Sequence, residues 1–429
     1  MKALLISYLF PPLWEAQSIR WYYLSRELAK LGLDIDILTI KLPSITDLNL
    51  PANINIFRIS PGPVEKILYN IKYKIKTKNP NKSPQLAHLR TSKGFKLLKK
   101  GYRIFRNFFE YLLLGDIRNE WLFFALKFLK NLDLKSYQIL ITSHEPMVDS
   151  LIGLFLKKKH PHLFWVADLA DPFTAPYYPF TWKYFLKRLE KKVLNKTNLI
   201  LVTNSMVKKK YSQDYQIPEN KILIISQGFD WNFYRENKNS YSPNEVFTLF
   251  YAGSFYKKFR NPEELFKALK EFPYDYRFYL AGRVETFLPK DKEFRNKIFY
   301  LGVLEHSEVL NWERKADLLI FLGNNLSDQI PGKLLEYLGS KKPILAIIYD
   351  DNQEIRETIE KLKIGKIVSN KKEEILKTLT EFYELYSNNQ LSLFLNPEDE
   401  EVLYTYTWQY QAQKIYQNIV KINDKVKLP

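Results

Sequence analysis

Two acids and one histidine directly follow predicted strands, where parallel sheets commonly hold the side chains that do chemistry. Asp168 and Asp171 come just after a strand predicted over 164–167, and His144 follows a strand predicted over 139–142. A carboxylate or an imidazole there could take a proton from a hydroxyl group or orient it. The structural alternatives stay open, because Asp171 precedes a proline as in many turns and a lone loop histidine is often structural.

A second group of residues suits the binding of a phosphate group. A helix is predicted to begin near Gly332, and its free N–H groups and Lys333 in its first turn offer positive charge to an anion. Arg20, on the first predicted helix, is also available to an anion, although a place on the helix surface explains it equally well.

The composition excludes several other kinds of site. The chain has no cysteine, which rules out disulfides, thiolate metal sites and cysteine nucleophiles. The sequence contains neither a phosphate-loop Gly-Lys-Ser/Thr motif nor a Gly-x-Ser-x-Gly nucleophile elbow. The histidines, at positions 88, 144, 160, 162 and 306, lack the spacing of a metal site.

The elements that must position these residues form two similar series. Short apolar runs alternate with amphipathic stretches, which is the pattern of parallel strands joined by crossover helices. The pattern restarts after the polar stretch 235–244, so two doubly wound α/β units are predicted, with ligands at the carboxyl ends of their strands. Strands are predicted over 3–8, 34–40, 53–59, 139–142, 164–167, 199–203, 221–225, 247–252, 277–281, 298–301, 318–321 and 344–348, and the first helix over 18–31.

One basic segment, residues 64–109, stands apart from this pattern. It holds thirteen Lys or Arg and the single acid Glu65, with interleaved aromatic residues, and a basic amphipathic helix is predicted over 93–109. Such a surface suits anionic lipid headgroups or nucleic acid, and a solvated insertion in a lysine-rich protein is the alternative. The net charge of +18 also favours an anionic partner, although codon composition alone could produce it. No apolar run approaches the ~20 residues that span a bilayer.

Several stretches, in the same order along the chain, resemble glycosyltransferase family 4 of the GT-B fold, in its bacterial group 1 type. Most of the chain outside residues 60–115 takes part in this resemblance. The stretches are residues 4–12 (LLISYLFPP) with Arg20, residues 165–172 (WVADLADP), residues 250–254 (FYAGS) and residues 331–338 (PGKLLEYL).

The resemblance implies an α/β architecture of two Rossmann-like domains facing a central cleft. Residues 1–237 would form the acceptor-side domain, residues 238–403 the nucleotide-sugar-binding domain, and residues 404–429 would cross back onto the first. It implies a cytoplasmic enzyme that needs no metal and no cofactor, moves a sugar from a nucleotide-diphosphate sugar to an acceptor hydroxyl and retains the anomeric configuration.

The same resemblance assigns the donor site. Asp328 and Glu336 keep the family's pair of acids eight residues apart, with Asp in place of the usual Glu. Glu336 would accept hydrogen bonds from the donor ribose, and Asp328 would face the transferred sugar. Arg260 fits best as the cation for the diphosphate, with Lys257 and Lys258 as rivals. The donor-binding residues implied are Gly253, Ser254, Lys258, Arg260, Val303, Gly332, Lys333, Leu334 and Glu336, of which Ser254 stands where the family often has Arg.

The catalytic residues implied are Asp171, Asp168 and Asp328, with Arg20 and His144 on the acceptor side. The acceptor expected is a lipid-linked or cell-surface glycan precursor, handled in polysaccharide biosynthesis by a peripheral enzyme at the inner face of the membrane. The anionic membrane surface would be met through residues 64–109, and nucleic acid is not the expected partner. The alternatives are a GT-B nucleotide-sugar epimerase and a non-catalytic protein that binds polyanions or nucleic acid on the same scaffold.

Overall fold

The structure of this protein is a computed structural model, and it describes residues 1–42, 48–68, 93–170, 172–173, 182–236, 242–324, 332–349, 353–394 and 400–426. The chain divides into two compact units, Met1–Ile224 with Asn418–Pro429, and Ile225–Gln417. Each unit contains one parallel β-sheet with helices between its strands. The predicted α/β class with two doubly wound parallel sheets is therefore confirmed.

The first unit is built on a seven-stranded sheet in the order β3-β2-β1-β4-β5-β6-β7, with all neighbours parallel. Its central strands are apolar on both faces because helices cover both sides, which is why they read as short continuous hydrophobic runs. The strands are β1 Lys2–Ile6, β2 Asp34–Ile40, β3 Ile54–Ile59, β4 Ile139–His144, β5 Phe164–Leu169, β6 Leu199–Val202 and β7 Ile222–Ile224.

The helices of the first unit pack their apolar stripes onto this sheet. The buried cluster includes Trp121 and Ala125 from one helix and Ile152 and Leu156 from the next. The helices are α1 Ala16–Lys30, α2 Lys93–Leu112, α3 Trp121–Leu129, α4 Met147–Lys159, α5 Lys183–Lys196 and α6 Ser205–Tyr215. Short 3-10 turns occupy Ile117–Glu120, Leu134–Ser136 and Glu219–Lys221.

The second unit has a six-stranded sheet in the order β10-β9-β8-β11-β12-β13. The strands are β8 Phe247–Ser254, β9 Tyr276–Arg283, β10 Ile298–Gly302, β11 Leu318–Leu322, β12 Ile344–Ile348 and β13 Gly365–Ser369. The helices are α7 Trp231–Glu236, α8 Glu263–Glu271, α9 Lys292–Arg295, α10 His306–Lys315, α11 Gly332–Leu338, α12 Gln353–Leu362, α13 Lys372–Ser387, α14 Glu400–Tyr404 and α15 Trp408–Val426. Short 3-10 turns lie at Glu285–Phe287 and Leu391–Phe394.

Every strand predicted from the sequence is present, most with ends shifted by one or two residues. Strand β13 was not predicted, because it lies at the edge of its sheet and four of its five residues are only half-buried, so its apolar signal is weak. The helix predicted over 93–109 extends to Leu112.

The division of the chain differs from the residue numbers expected. Residues 225–237 and 404–417 group with the second unit, and the last helix, α15, contributes Asn418 onwards to the first unit. Within the described residues, no helix combines the length and the apolar character that crossing a membrane requires.

The two sheets share one feature that decides where ligands can bind. In each sheet the strand order reverses between two neighbours, β1 and β4 in the first unit and β8 and β11 in the second. Connections leave these neighbours toward opposite sides, which opens a crevice at their carboxyl ends. The residues that follow β1 and β4, and those that follow β8 and β11, are therefore the places to look for function.

Candidate functional site

Asp168 lies in strand β5, near its end, and is held by donors from helix α1. Arg20 Nε donates to Asp168 Oδ2 at 2.8 Å, and Arg20 Nη2 donates to Oδ1 at 3.0 Å. Trp21 Nε1 and Gln17 Nε2 each donate to Oδ2 at 2.8 Å. All four side chains are buried, and those of Arg20 and Asp168 are 0% exposed. The structure thus joins two residues that the sequence assigned to separate roles.

This arrangement favours a positioning role for Asp168. Two-point pairing with a guanidinium fixes both groups in orientation, and the further donors satisfy lone pairs that would otherwise be stranded in the core. Helix α1 is thereby tied to strand β5 at the carboxyl edge of the sheet. Transfer of the acceptor proton to Asp168 stays a prediction.

His144 ends strand β4 and is fully buried. Its ring stacks on Phe173, with centroids 4.4 Å apart and planes 6° from parallel. Among the described residues, neither Nδ1 nor Nε2 has a hydrogen-bond partner. Burial, followed by the positive charge of Arg118, lowers the pKa of His144 to about 3. The imidazole is therefore neutral near pH 7 and offers one donor and one acceptor.

A polar cluster stands beside His144 at the carboxyl end of β1. The Tyr8 backbone N–H donates to Asp149 Oδ2 at 2.9 Å, and the Tyr8 hydroxyl donates to the Glu65 carboxylate. Burial raises the pKa of both acids, most strongly that of Asp149. The single acid of the basic segment is thus engaged at the edge of the first sheet.

Three side chains form a charged cluster in the second unit, between helices α10 and α11. Lys333 Nζ donates to Glu313 Oε1 at 3.0 Å and to the Glu336 carboxylate. The Glu313 side chain is 0% exposed, whereas those of Lys333 and Glu336 are 24% and 11% exposed. His306 Nδ1 lies 4.0 Å from Glu336 Oε1. The cluster therefore has a buried side at Glu313 and an accessible side at Lys333 and Glu336.

The acids of this cluster have opposite pKa shifts. Burial raises the pKa of Glu313 well above its ordinary value, and the charge of Lys333 only partly offsets this. Burial acts in the same direction on Glu336, but the charge of Lys333 prevails and lowers its pKa. Burial also lowers the pKa of His306. The two acids that share Lys333 therefore differ, because Lys333 stabilises the ionised form of Glu336 while burial disfavours the ionised form of Glu313.

Arg260 is brought to the end of β8 by a tight turn. The backbones of Tyr256 and Arg260 hydrogen-bond to each other in both directions, which folds the chain back after the strand. Arg260 Nε donates to Asn324 Oδ1 at 3.0 Å, and Nη1 reaches the Ser254 carbonyl oxygen at 3.5 Å. The rival cation Lys258 is exposed on the same turn. The half-buried guanidinium thus lies at the carboxyl edge of strands β8 and β11.

Tyr251, a buried residue of β8, is affected by the charges of both Arg260 and Lys333. Burial raises the pKa of its hydroxyl, and the charges of Arg260 and Lys333 act in the opposite direction. The same hydroxyl donates to the Ser254 carbonyl oxygen at 3.2 Å. The charges of both cations therefore favour the ionised form of the same buried hydroxyl.

The other predicted donor residues differ in what they could contact. Gly253 pairs with Gly282 of β9, and a Cβ on Gly282 would lie 2.0 Å from the Gly253 carbonyl oxygen. Val303 is 74% exposed, whereas the Leu334 side chain is 0% exposed and can offer a ligand only its backbone. A Cβ on Gly332 would lie 2.9 Å from the Gln227 side chain, so this glycine permits a close approach.

Solved structures with the same architecture are known, although their sequences differ widely from this one. No protein-family model matches the chain, and no curated protein matches it in sequence. Sucrose-phosphate synthase from Thermosynechococcus elongatus has a TM-score of 0.64 and 13% identity, covering 99% of each chain. HepE (Alr3699) from Anabaena, solved in complex with UDP-glucose, has a TM-score of 0.59 and 11% identity, covering 98% of this chain and 100% of its own. A UDP-N-acetylglucosamine 2-epimerase has a TM-score of 0.57 and 12% identity, covering 99% and 96%.

The chain has the GT-B fold. At such low identity the likeness shows the fold alone, and this GT-B fold is shared by transferases and an epimerase. The activity is therefore decided by the residues at the switch points, which are the carboxyl ends of β1 and β4 and of β8 and β11, where the strand order reverses.

Two predicted site residues, Asp171 and Asp328, lie outside the described residues. Over the part of the chain that is described, no group of three His, Asp or Glu side chains is arranged to hold a metal ion.

Sequence reasoning missed several residues of the GT-B sheet edges, among them Glu313, His306, Tyr251, Asn324 and Gln17. Glu313 had a usable signal: Val309, Trp312, Glu313 and Ala316 occupy the i, i+3, i+4 and i+7 positions of the apolar stripe of α10 and its C-cap, and an acid in such a stripe is buried. The others had none, because their partners come from distant parts of the chain.

Proposed function

We propose that this protein is a glycosyltransferase that moves a sugar from a nucleotide-diphosphate sugar to an acceptor hydroxyl. The observation that carries the proposal is a pair of cations in the segments that follow strands β8 and β11: Arg260, which donates to Asn324 Oδ1, and Lys333, which donates to Glu313 and Glu336. Glu336 lies beside Lys333, so an acceptor of hydroxyl hydrogen bonds stands next to donors for phosphate. A nucleotide sugar presents both groups.

The donor would bind by exchanging contacts that the free protein makes internally. A diphosphate offers Lys333 stronger acceptors than Glu336 alone does. Lys333 would therefore donate some of its hydrogen bonds to phosphate oxygens. The Glu336 carboxylate would then be available to accept hydrogen bonds from the ribose hydroxyls. The negative charge on the diphosphate grows as the bond from the anomeric carbon to the phosphate oxygen breaks. Lys333 and Arg260 would stabilise that charge.

The acceptor hydroxyl would be handled by groups at the switch point of the first sheet. His144 is neutral and has two unmatched ring nitrogens, so it could accept a hydrogen bond from a hydroxyl without first losing a proton. The Arg20–Asp168 pair would hold α1 in place, and Asp171 is the second candidate for proton transfer. Asp328 would face the transferred sugar.

The finer features of the proposal rest on the resemblance to glycosyltransferase family 4. They are retention of the anomeric configuration and transfer without a metal. The basic segment 64–109 supports a lipid-linked or cell-surface glycan precursor as the acceptor. In this proposal the enzyme works in the cytoplasm at the inner face of the membrane, which it meets through residues 64–109.

Thermal shifts with UDP, GDP, ADP and their sugar conjugates test the donor site. A ligand at 100 times its dissociation constant adds about 2.7 kcal/mol of stability. We expect one nucleotide series to stabilise the wild-type protein and Glu336→Ala to lose most of the shift. Glu384→Ala removes an exposed glutamate of α13 and is the matched control. No shift at millimolar concentrations of any of these ligands, with the wild type folded, contradicts the proposal.

An epimerase is the second candidate, because a UDP-N-acetylglucosamine 2-epimerase shares the fold. An epimerase changes the sugar and releases it without any acceptor. Incubation of the protein with the stabilising nucleotide sugar alone distinguishes the two activities. Altered free sugar in the absence of acceptor favours the epimerase, whereas transfer that depends on an added acceptor favours the transferase.

A further inference from the structure

The second half of helix α2 carries an exposed apolar stripe. Amphipathic helices of globular proteins normally turn such a stripe toward the core. Here its members are 36% to 61% exposed, although their spacing places them on one helix face. The stripe is Ile104, Phe105, Phe108, Tyr111 and Leu112. A contiguous exposed apolar face of this kind marks a surface that meets a partner.

Helix α5 extends this face. The Tyr111 ring of α2 lies 5.5 Å from the ring of Trp182, and Trp182 lies 5.8 Å from Phe185 of α5. Phe185 and its neighbour Tyr184 are 43% and 69% exposed. The exposed side chains of the two helices therefore form one patch, which we call the α2–α5 surface.

The charge of this surface has one sign. Helices α2 and α5 each contain six Lys or Arg and one acid. Arg106 Nε donates to the acid of α2, Glu110, at 2.7 Å. The acid of α5, Glu190, is fully buried and accepts from the Phe173 backbone N–H at 2.9 Å. Exposed cations, by contrast, run along α5 at positions 183, 187, 188, 191, 192 and 196.

We propose that the α2–α5 surface binds an anionic lipid bilayer, with the apolar stripe at the headgroup–acyl boundary and the basic side chains on the headgroups. Amphipathic helices with a basic face and aromatic or aliphatic residues on the other bind bilayers in this way. Nucleic acid is the weaker match, because proteins bind single strands by stacking aromatic rings on bases, and Ile104 and Leu112 cannot stack. The inference rests on the membrane contact of the proposed function, which it assigns to the second half of α2 together with α5, and it does not depend on the donor site.

Sedimentation with vesicles tests the proposal. The protein is mixed with phosphatidylcholine vesicles with or without phosphatidylglycerol, and the bound fraction is measured. Lys187→Gln/Arg188→Gln/Lys191→Gln removes three charges from the surface, and Phe108→Ser/Tyr111→Ser removes two rings from the stripe. We expect wild-type binding to need phosphatidylglycerol. We expect the charge variant to bind about 100-fold more weakly, since each cation near an anionic surface contributes about fivefold.

Matched variants in the second unit provide the controls. Lys290→Gln/Lys361→Gln/Lys377→Gln removes three exposed charges, and Leu393→Ser removes a side chain that is 69% exposed. Both should bind vesicles as the wild type does. Equal losses in the surface and control variants, or undiminished binding in the surface variants, would overturn the proposal.

A single-stranded oligonucleotide is tested in parallel with the vesicles. Weaker oligonucleotide binding in the surface variants, with vesicle binding intact, would assign the surface to nucleic acid instead. Every surface variant should keep the far-UV circular dichroism and the thermal unfolding of the wild type, which shows that it folds without reference to the donor site.

Discussion

Arg20 and Asp168 form a fully buried two-point ion pair, with Nε–Oδ2 and Nη2–Oδ1 distances of 2.8 and 3.0 Å. The two residues are 148 positions apart in the sequence. The pair joins the first helix of the chain to the strand whose end faces the ligand edge of the first sheet. Removing the pair should therefore lower the free energy of unfolding and displace the end of that strand.

Asp168→Ala should destabilise the first unit strongly. Removing one partner strands a buried guanidinium, and losses of about 3–5 kcal/mol are typical of such a change. Urea unfolding followed by tryptophan fluorescence measures the effect, since Trp21 and Trp165 lie in this region. The double variant Arg20→Met/Asp168→Leu leaves no stranded charge and should recover much of the loss. If the double variant is no more stable than Asp168→Ala, the pair is not what holds α1.

His144 should make the protein lose stability in mild acid. Its pKa is about 3 in the folded chain, below its ordinary value of 6.5, so the unfolded chain binds more protons between these values. The stabilising contribution is complete above pH 6.5 and is lost as the pH falls toward 3, by up to about 1.4 kcal/mol per pH unit.

Unfolding free energies at pH 7.5 and 5 check this expectation for His144. His144→Phe has nothing to protonate, so its stability should fall less between these pH values, by about 2 kcal/mol. His162→Asn alters an exposed histidine and should behave as the wild type. An unchanged pH dependence in His144→Phe would mean that the imidazole is protonated in the folded protein.

Glu313 should make the protein lose stability as the pH rises, whereas His144 makes it lose stability as the pH falls. Burial raises its pKa in the folded chain well above the ordinary 4.5, so the folded chain binds more protons than the unfolded chain at pH values between the two pKa values. Its contribution to the free energy of unfolding is fully present below pH 4.5 and is lost as the pH rises through the folded pKa. Glu313→Gln keeps the neutral shape and should remove this decline.

Unfolding of the second unit at pH 5.5 and 8 measures the Glu313 effect. Glu384→Gln, at an exposed glutamate of α13, should keep the wild-type decline. The Glu313→Gln variant should also keep its nucleotide thermal shift, because Lys333 still pairs with Glu336. A variant that retains the full decline would show that Glu313 is ionised in the folded protein.

Gly282→Ala should cost more stability than Gly32→Ala, although both glycines have a positive φ. Gly32 has φ +95° and open space around the position of a Cβ, so its variant bears only the backbone cost of about 1–2 kcal/mol. Gly282 has φ +106°, and its Cβ would also lie 2.0 Å from the Gly253 carbonyl oxygen, so β8 and β9 must separate. Thermal unfolding compares the two, and equal losses would mean that the strands yield without cost.

Much of the fold could be predicted because its signals are local. The buried strands read as short apolar runs, and all of the predicted strands are present, whereas the half-buried edge strand β13 escaped detection. The predicted helix over 93–109 is present, since an amphipathic period needs only neighbours in the chain. The exposure of its apolar stripe could not be predicted, because it depends on what packs against the helix.

The sequence by itself determined the parallel α/β pattern and the candidate site residues: Asp168 and Arg260 near the ends of strands, and Arg20, Lys333 and Glu336 on helices. Only the tertiary structure decided their partners. Periodicity says which face a side chain occupies, but strand order and helix placement decide which distant side chain it meets. For that reason the sequence left Arg20 to an anion or to the helix surface, whereas the fold pairs it with Asp168, and only the fold places Glu313 beside Lys333.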